Sequence, residues 1–258
     1  MLKTRLIAVL LILDGKVVQS VRFKHTNIIH YDPIHAIEAF NHWAVDEIVI
    51  LNVSRDPASL PDFADAVAKV SRACFIPVAA GGWIQAETDG DRLLRSGADK
   101  LVLNSAFHGR PELVQRLAHR YGRQCIVASI DVKRIDGAPP QVVVDRGRQP
   151  IDADPVAWAV RAAELGAGEI LFNSIDHDGA RKGYDLETIG AIAAAVDIPV
   201  IAFGGVLQWS HLVEGLKVGA AACAAANIFH YTEQSTKKAK LYLAQAGIPV
   251  RSEGRFGG

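Results

Sequence analysis

A closed (βα)8 barrel of the α/β class is the fold that this sequence predicts, on three observations. Apolar, β-rich runs alternate with amphipathic helical stretches, as βαβ units around a parallel sheet do. Eight such runs can be placed. The chain also repeats itself: AVDEIVIL (44–51), GADKLVLN (97–104), GAGEILFN (166–173) and GAAACAAA (219–226) are four copies of one pattern, and FIPVAAGGW (75–83) recurs as DIPVIAFGGV (197–206). Glu47 maps onto Glu169, and Lys100 onto Ala222, at the same offset of 122 residues. Two similar halves of four βα units therefore follow. No GxGxxG follows the first run, which weighs against an open dinucleotide-binding sheet.

The strands are expected near 5–11, 47–53, 75–80, 100–104, 124–131, 169–174, 198–202 and 221–226. Asp32-Pro33 and Asp154-Pro155 each set a capping acid before a proline at the first helical position, and Asp185 opens DLETIGAIAAAV in the same role. After strand 1, ILDGKVVQSVRF (12–23) places Asp-Gly between apolar runs, a hairpin signal. DGAPPQVVVDRGRQP (136–150) predicts a second hairpin after strand 5. Both fall in βα loops, where such barrels keep their function. The last stretch, about 248–258, reads as a flexible tail.

At 258 residues, half of them hydrophobic, the chain suits one barrel domain over 1–258. Its 28 basic and 28 acidic residues cancel, so nothing draws it to nucleic acid or an anionic membrane. Cys74, Cys125 and Cys223 are odd in number and far apart, which argues against a disulfide framework and a zinc site. They read as small core residues. No metal and no cofactor are expected. MLKTRLIAVLLILDG is broken by Arg5, lacks a small-residue cleavage site and is too short to span a bilayer, so it reads as a strand of a cytoplasmic protein.

Strand alternation divides candidate site residues between two mouths. At the strand starts, Arg5, Glu47, Lys100 and Glu169 share the inward face. Two cations and two anions can either line a solvated rim or pair fully within the narrow lumen; unpaired burial would cost several kcal/mol each. Asp131 and Asn173 end strands 5 and 6 on the inward face, and Ser174 and Asp176 follow. Gly81, Gly82, Asn104 and Ser105 in one half, and Gly204, Gly205 and Asn227 in the other, offer backbone N–H groups and small donors for anions. The pairing by repeat suggests a two-ended ligand with a phosphate-type group at each end.

GADK, GAGEILFNSIDHDGARKGYD, IPVIAFGG and SIDVKR together resemble the cyclase subunit of imidazole glycerol phosphate synthase over essentially the whole chain. The resemblance implies a barrel of the ribulose-phosphate-binding type, hollow enough to pass ammonia, with a glutaminase subunit docked at the N-terminal face of its strands. It assigns Arg5, Glu47, Lys100 and Glu169 to an ammonia gate, Asp99 to the glutaminase-facing surface and Asp131 to catalysis. Departures concentrate at the other mouth. The family's strand-1 aspartate is Leu11, its loop-1 lysine Gln19, its third glycine after strand 3 Trp83, its strand-7 serine Phe203 and its strand-6 threonine Asn173. These changes resemble the branch associated with glycosyl amidation in surface polysaccharide biosynthesis, a lyase- or amidotransferase-type synthase subunit working beside a separate sugar amidotransferase. That branch implies transfer of glutamine-derived nitrogen to an N-acyl amino sugar, giving an amidine. A genuine cyclase subunit of histidine biosynthesis, and a non-catalytic ammonia conduit, remain the alternatives.

Overall fold

The computed structural model describes residues 3–42, 45–134, 138–230 and 235–251. Eight parallel strands close into a barrel: β1 (Arg5–Leu13), β2 (Glu47–Asn52), β3 (Val78–Gly81), β4 (Lys100–Leu103), β5 (Ile126–Lys133), β6 (Glu169–Ser174), β7 (Val200–Phe203) and β8 (Ala222–Ala225). Each pairs with the next, and β8 pairs with β1, so the barrel itself closes on both sides of every one of these eight strands. The register sets Asp131 beside Asn173 and Ile7 beside Glu47.

The helices start where the acids said they would. The Asp154 carboxylate accepts from the N–H groups of Val156 and Ala157 at 2.9 and 3.0 Å, opening the helix Pro155–Glu164. Asp32 accepts from Ile34 N–H and Asp185 from Thr188 N–H. The helical layer covers the outer strand faces, where Leu6, Leu10, Ile48, Ile50, Leu93, Leu101, Phe172 and Leu212 are fully buried. None of the described helices is long and apolar enough to cross a membrane.

Both hairpins form. Leu13 pairs with Lys16 across Asp14 and Gly15, whose φ angles of 48° and 74° make the two-residue turn that twisted strands favour. Its second arm, Lys16–Val21, pairs onward with His25–His30. After β5, Gln141–Val144 returns antiparallel to Asp131–Lys133 and pairs with Gln149–Pro150. Residues 248–251 are not loose, contrary to the expected tail. Thr4 N–H donates to Pro249 C=O at 2.8 Å, and Thr4 and Val250 form a β-bridge. Residues 252–258 lie outside the described residues.

The lumen departs from the expected hollow cylinder. Ile7, Val9, Val49, Ala79, Val102, Val127, Leu171, Ile201, Ala222 and Ala224 pack on one another in its middle, as inward layers of such barrels do. The passage is therefore an apolar packing of side chains, three of them only alanines, and not an open bore.

Candidate active site and its two mouths

At the strand starts the four charges turn inward and close a ring. Arg5 Nη1 donates to Glu47 Oε2 at 2.7 Å, and its Nη2 donates to Glu169 Oε1. Lys100 Nζ donates to Glu47 Oε1 at 2.9 Å and to Glu169 Oε2 at 2.8 Å. Each acid thus meets both cations, and the acids are nearly inaccessible, Glu47 at 2 % and Glu169 at 6 %. Burial alone would discharge Glu169, but hydrogen bonds and Coulombic attraction from Arg5 and Lys100 outweigh it and hold its pKa below the usual range. The same contest raises the pKa of Arg5: burial opposes its charge and the two glutamates prevail. A solvated rim is thereby ruled out for these residues. Asp99 lies beside the ring, exposed, with its carboxylate accepting from Val78 N–H at 2.8 Å.

At the opposite mouth Asp131 is the focus. Its Oδ1 accepts from Asn173 Nδ2 at 3.0 Å and its Oδ2 from Asn104 Nδ2 at 3.1 Å, while Asn104 also donates to Ser129 C=O at 2.9 Å. Burial pushes the Asp131 carboxyl up to about 7; the Asn173 amide pulls it partly back, and the nearby Asp178 carboxylate pushes it the same way as burial. Such an acid can hold or release a proton near neutral pH.

Sequence reasoning missed Asp178. It sits in the IDHDG turn after β6, buried, with Ser20 Oγ donating to its Oδ2 at 2.7 Å. Burial raises its pKa to about 6, against hydrogen bonds from Ser20 and the Arg22 and Phe23 backbone. Asp176, taken from the sequence as a pocket residue, instead accepts from Arg134 N–H at 2.7 Å and ties the β5 loop down. Ser174 is buried and alternates to the outer side of β6 from Asn173, its carbonyl accepting from His177 and Asp178 N–H. Leu11, where the strand-1 aspartate was sought, is 6 % exposed and packs with Val9 and Val18 in the lumen cluster.

The two glycine pairs occupy related but unequal places. Gly204 and Gly205 line a cavity of about 210 Å³ with Phe203, Ala226, Asn227, Arg181, Gln19 and Asp178. Gly82 and Gly204 both take left-handed backbone, φ 118° and 95°. A side chain at Gly82 would meet Asn52 Cβ at 2.7 Å, and one at Gly204 would meet Asn173 Oδ1 at 2.6 Å, so tight strand crossings require both glycines. Ser105 Oγ accepts from Asp145 N–H at 3.1 Å, and Gly81 abuts Val102. No group of three metal-ligating side chains occurs among the described residues.

Comparison with known proteins agrees with this geometry. The family described as histidine biosynthesis protein matches residues 5–235. Three relatives are imidazole glycerol phosphate synthase subunits HisF. The one from Mycobacteroides abscessus is 41 % identical over 254 residues, covering 96 % of this chain and 98 % of the relative. The one from Frankia casuarinae is 41 % identical over 240 residues, 92 % and 94 % of the two chains. The one from Streptomyces avermitilis is 39 % identical over 250 residues, 97 % and 99 %. With a closed eight-stranded barrel, a sequence repeated in its two halves and these matches along nearly its full length, the chain belongs to the histidine biosynthesis protein family.

Proposed function

We propose that the chain is the barrel subunit of a glutamine-dependent synthase. A glutaminase docks at the face bearing Asp99, and its ammonia passes Arg5, Glu47, Lys100 and Glu169 to react with a phosphate-bearing substrate at Asp131. The ion-paired ring carries this reading: four charges committed to one narrow mouth stabilise the fold little compared with apolar packing, but they make a polar closure that can part and re-form. Beyond the ring, the apolar lumen favours neutral NH₃ over ammonium, and Ala79, Ala222 and Ala224 leave the least bulk to move aside.

The name shared by the relatives favours cyclase chemistry over the sugar-amidation reading expected from the sequence. On the cyclase reading Asp131 transfers protons on the substrate, and Asp178 supplies the second carboxyl that Leu11 does not. One observation keeps amidation as the second reading: Leu11 leaves strand 1 with no proton-transfer group at this mouth. The test is turnover of the family's phosphoribosyl substrate with ammonium salts. The cyclase reading expects measurable turnover that falls at least a hundredfold in Asp131→Asn. No turnover at saturating ammonium overturns it. Amidine formation from an N-acyl amino sugar, dependent on this chain, a glutaminase and a sugar amidotransferase, would then establish the second reading.

A further inference from the structure

The internal repeat makes the two anion cradles comparable position by position. At the offset of 122 residues Gly82 corresponds to Gly204, and Trp83 to Gly205. Both members of the second pair keep left-handed backbone, φ 58° at Trp83 and 92° at Gly205. The loop geometry is thus retained in each half, but the first half carries an indole where the second carries a hydrogen atom. A tryptophan rarely adopts that conformation, so local contacts must hold it there.

Those contacts come from two other loops. Trp83 Nε1 donates to Ser54 C=O at 2.8 Å, and Arg146 Nη1 donates to the same carbonyl at 2.5 Å. The Arg146 guanidinium lies over the Trp83 ring, 4.6 Å from its centre. Arg146 is presented by the tip of the hairpin after β5, where Asp145, Arg146 and Gly147 all have positive φ. The same tip engages Ser105 through Asp145 N–H. The side chains of the first cradle are therefore engaged: Ser105 Oγ accepts from the hairpin and donates to Asn104 Oδ1 at 3.3 Å, and the Asn104 amide donates to Ser129 C=O and Asp131. The second cradle instead opens onto a cavity lined by Gly204, Gly205 and Asn227.

We propose that this chain takes a ligand with a single phosphate-type end, seated at β7–β8, and that the Trp83–Ser54–Arg146 clamp closes the related position at β3–β4 to a second such group. This deepens the reading of the site as a phosphate-bearing substrate pocket and rests on it. The far end of the ligand meets the clamp and carries no phosphate.

Backbone amide NMR during titration with inorganic phosphate tests this without ammonia or a glutaminase, so its outcome is independent of the turnover assay above. In the wild-type chain the Gly204, Gly205 and Asn227 amides shift along one saturable curve, while those of Gly82, Trp83 and Ser105 stay still. Arg146→Ala opens the clamp, and the Gly82, Trp83 and Ser105 amides then respond with at least tenfold tighter phosphate binding than in the wild type. Trp83→Gly gives the same gain by a separate route. Wild-type protein in which both sets saturate together, or in which neither moves, overturns the proposal. So does continued silence of the Gly82, Trp83 and Ser105 amides in both Arg146→Ala and Trp83→Gly, because the clamp would then not be what closes that position.

Discussion

Asp131 and the ring of four charges show how much single residues depend on their surroundings here. The Asp131 carboxyl has a pKa near 7 in the folded chain against about 3.9 when unfolded. Between those values the folded protein holds a proton that the unfolded chain has released, so raising the pH from about 4 to about 7 lowers stability. Asp178 adds to the same slope up to about pH 6. Asp131→Asn is expected to flatten the dependence above pH 6 and to leave below it only the shallower slope due to Asp178, measured as urea midpoints across that range. In the ring, Lys100→Met leaves Glu47 and Glu169 sharing Arg5 alone and is expected to cost about 3 kcal/mol. Adding Glu169→Gln restores neutrality and recovers roughly half of that loss in the same unfolding experiment. The ring was legible in the sequence because alternation fixes side-chain direction within a strand. Asp178 was not, because it lies in a turn beyond β6, where alternation no longer says where a side chain points.

Among the elements, boundaries moved where local chemistry overrode the apolar pattern. The third strand, expected from 75, begins at Val78: Phe75 is 95 % exposed, and Pro77 has no N–H to give to the sheet. Both hairpins were legible from their turn residues, Asp14-Gly15 most clearly. What each hairpin touches was not, since the bonds from Asp145 to Ser105 and from Arg146 to Ser54 span 40 and 92 residues. Gly15 has φ 74° and open space around its missing side chain, so its role is conformational alone. Gly15→Ala is expected to lower stability by about 1 kcal/mol, read by denaturant unfolding. Asp154→Ala removes the acceptor for two N–H groups and is expected to cost about 1 kcal/mol by the same measure.

For the whole molecule, the repeat in the sequence implies the closed topology, since two halves of four βα units have few other ways to bury their strands. The repeat also led to one error of scale. It suggested two equal anion cradles, whereas the halves diverge at Trp83 and in the β5 hairpin, whose Arg146 lies across it. The packed lumen was a second departure, because side-chain volume in a barrel centre depends on how eight strands are staggered and not on any one of them. If the ring controls entry in the assembled synthase, Lys100→Ala is expected to lower glutamine-driven product formation several-fold relative to the ammonium-driven rate, while glutamine hydrolysis continues. Equal losses in both assays would separate the ring from any gating role.

The bridge between Thr4 and Val250 has a consequence for chain connectivity. Neighbouring strands lie about 5 Å apart, so a linker of a few residues can join Val250 to Thr4 in a variant that omits the residues outside this bridge. Cutting the resulting loop at Gly122, on the seam between the repeats, gives a circular permutant in which the second half is synthesised first and every strand pairing of the barrel is retained.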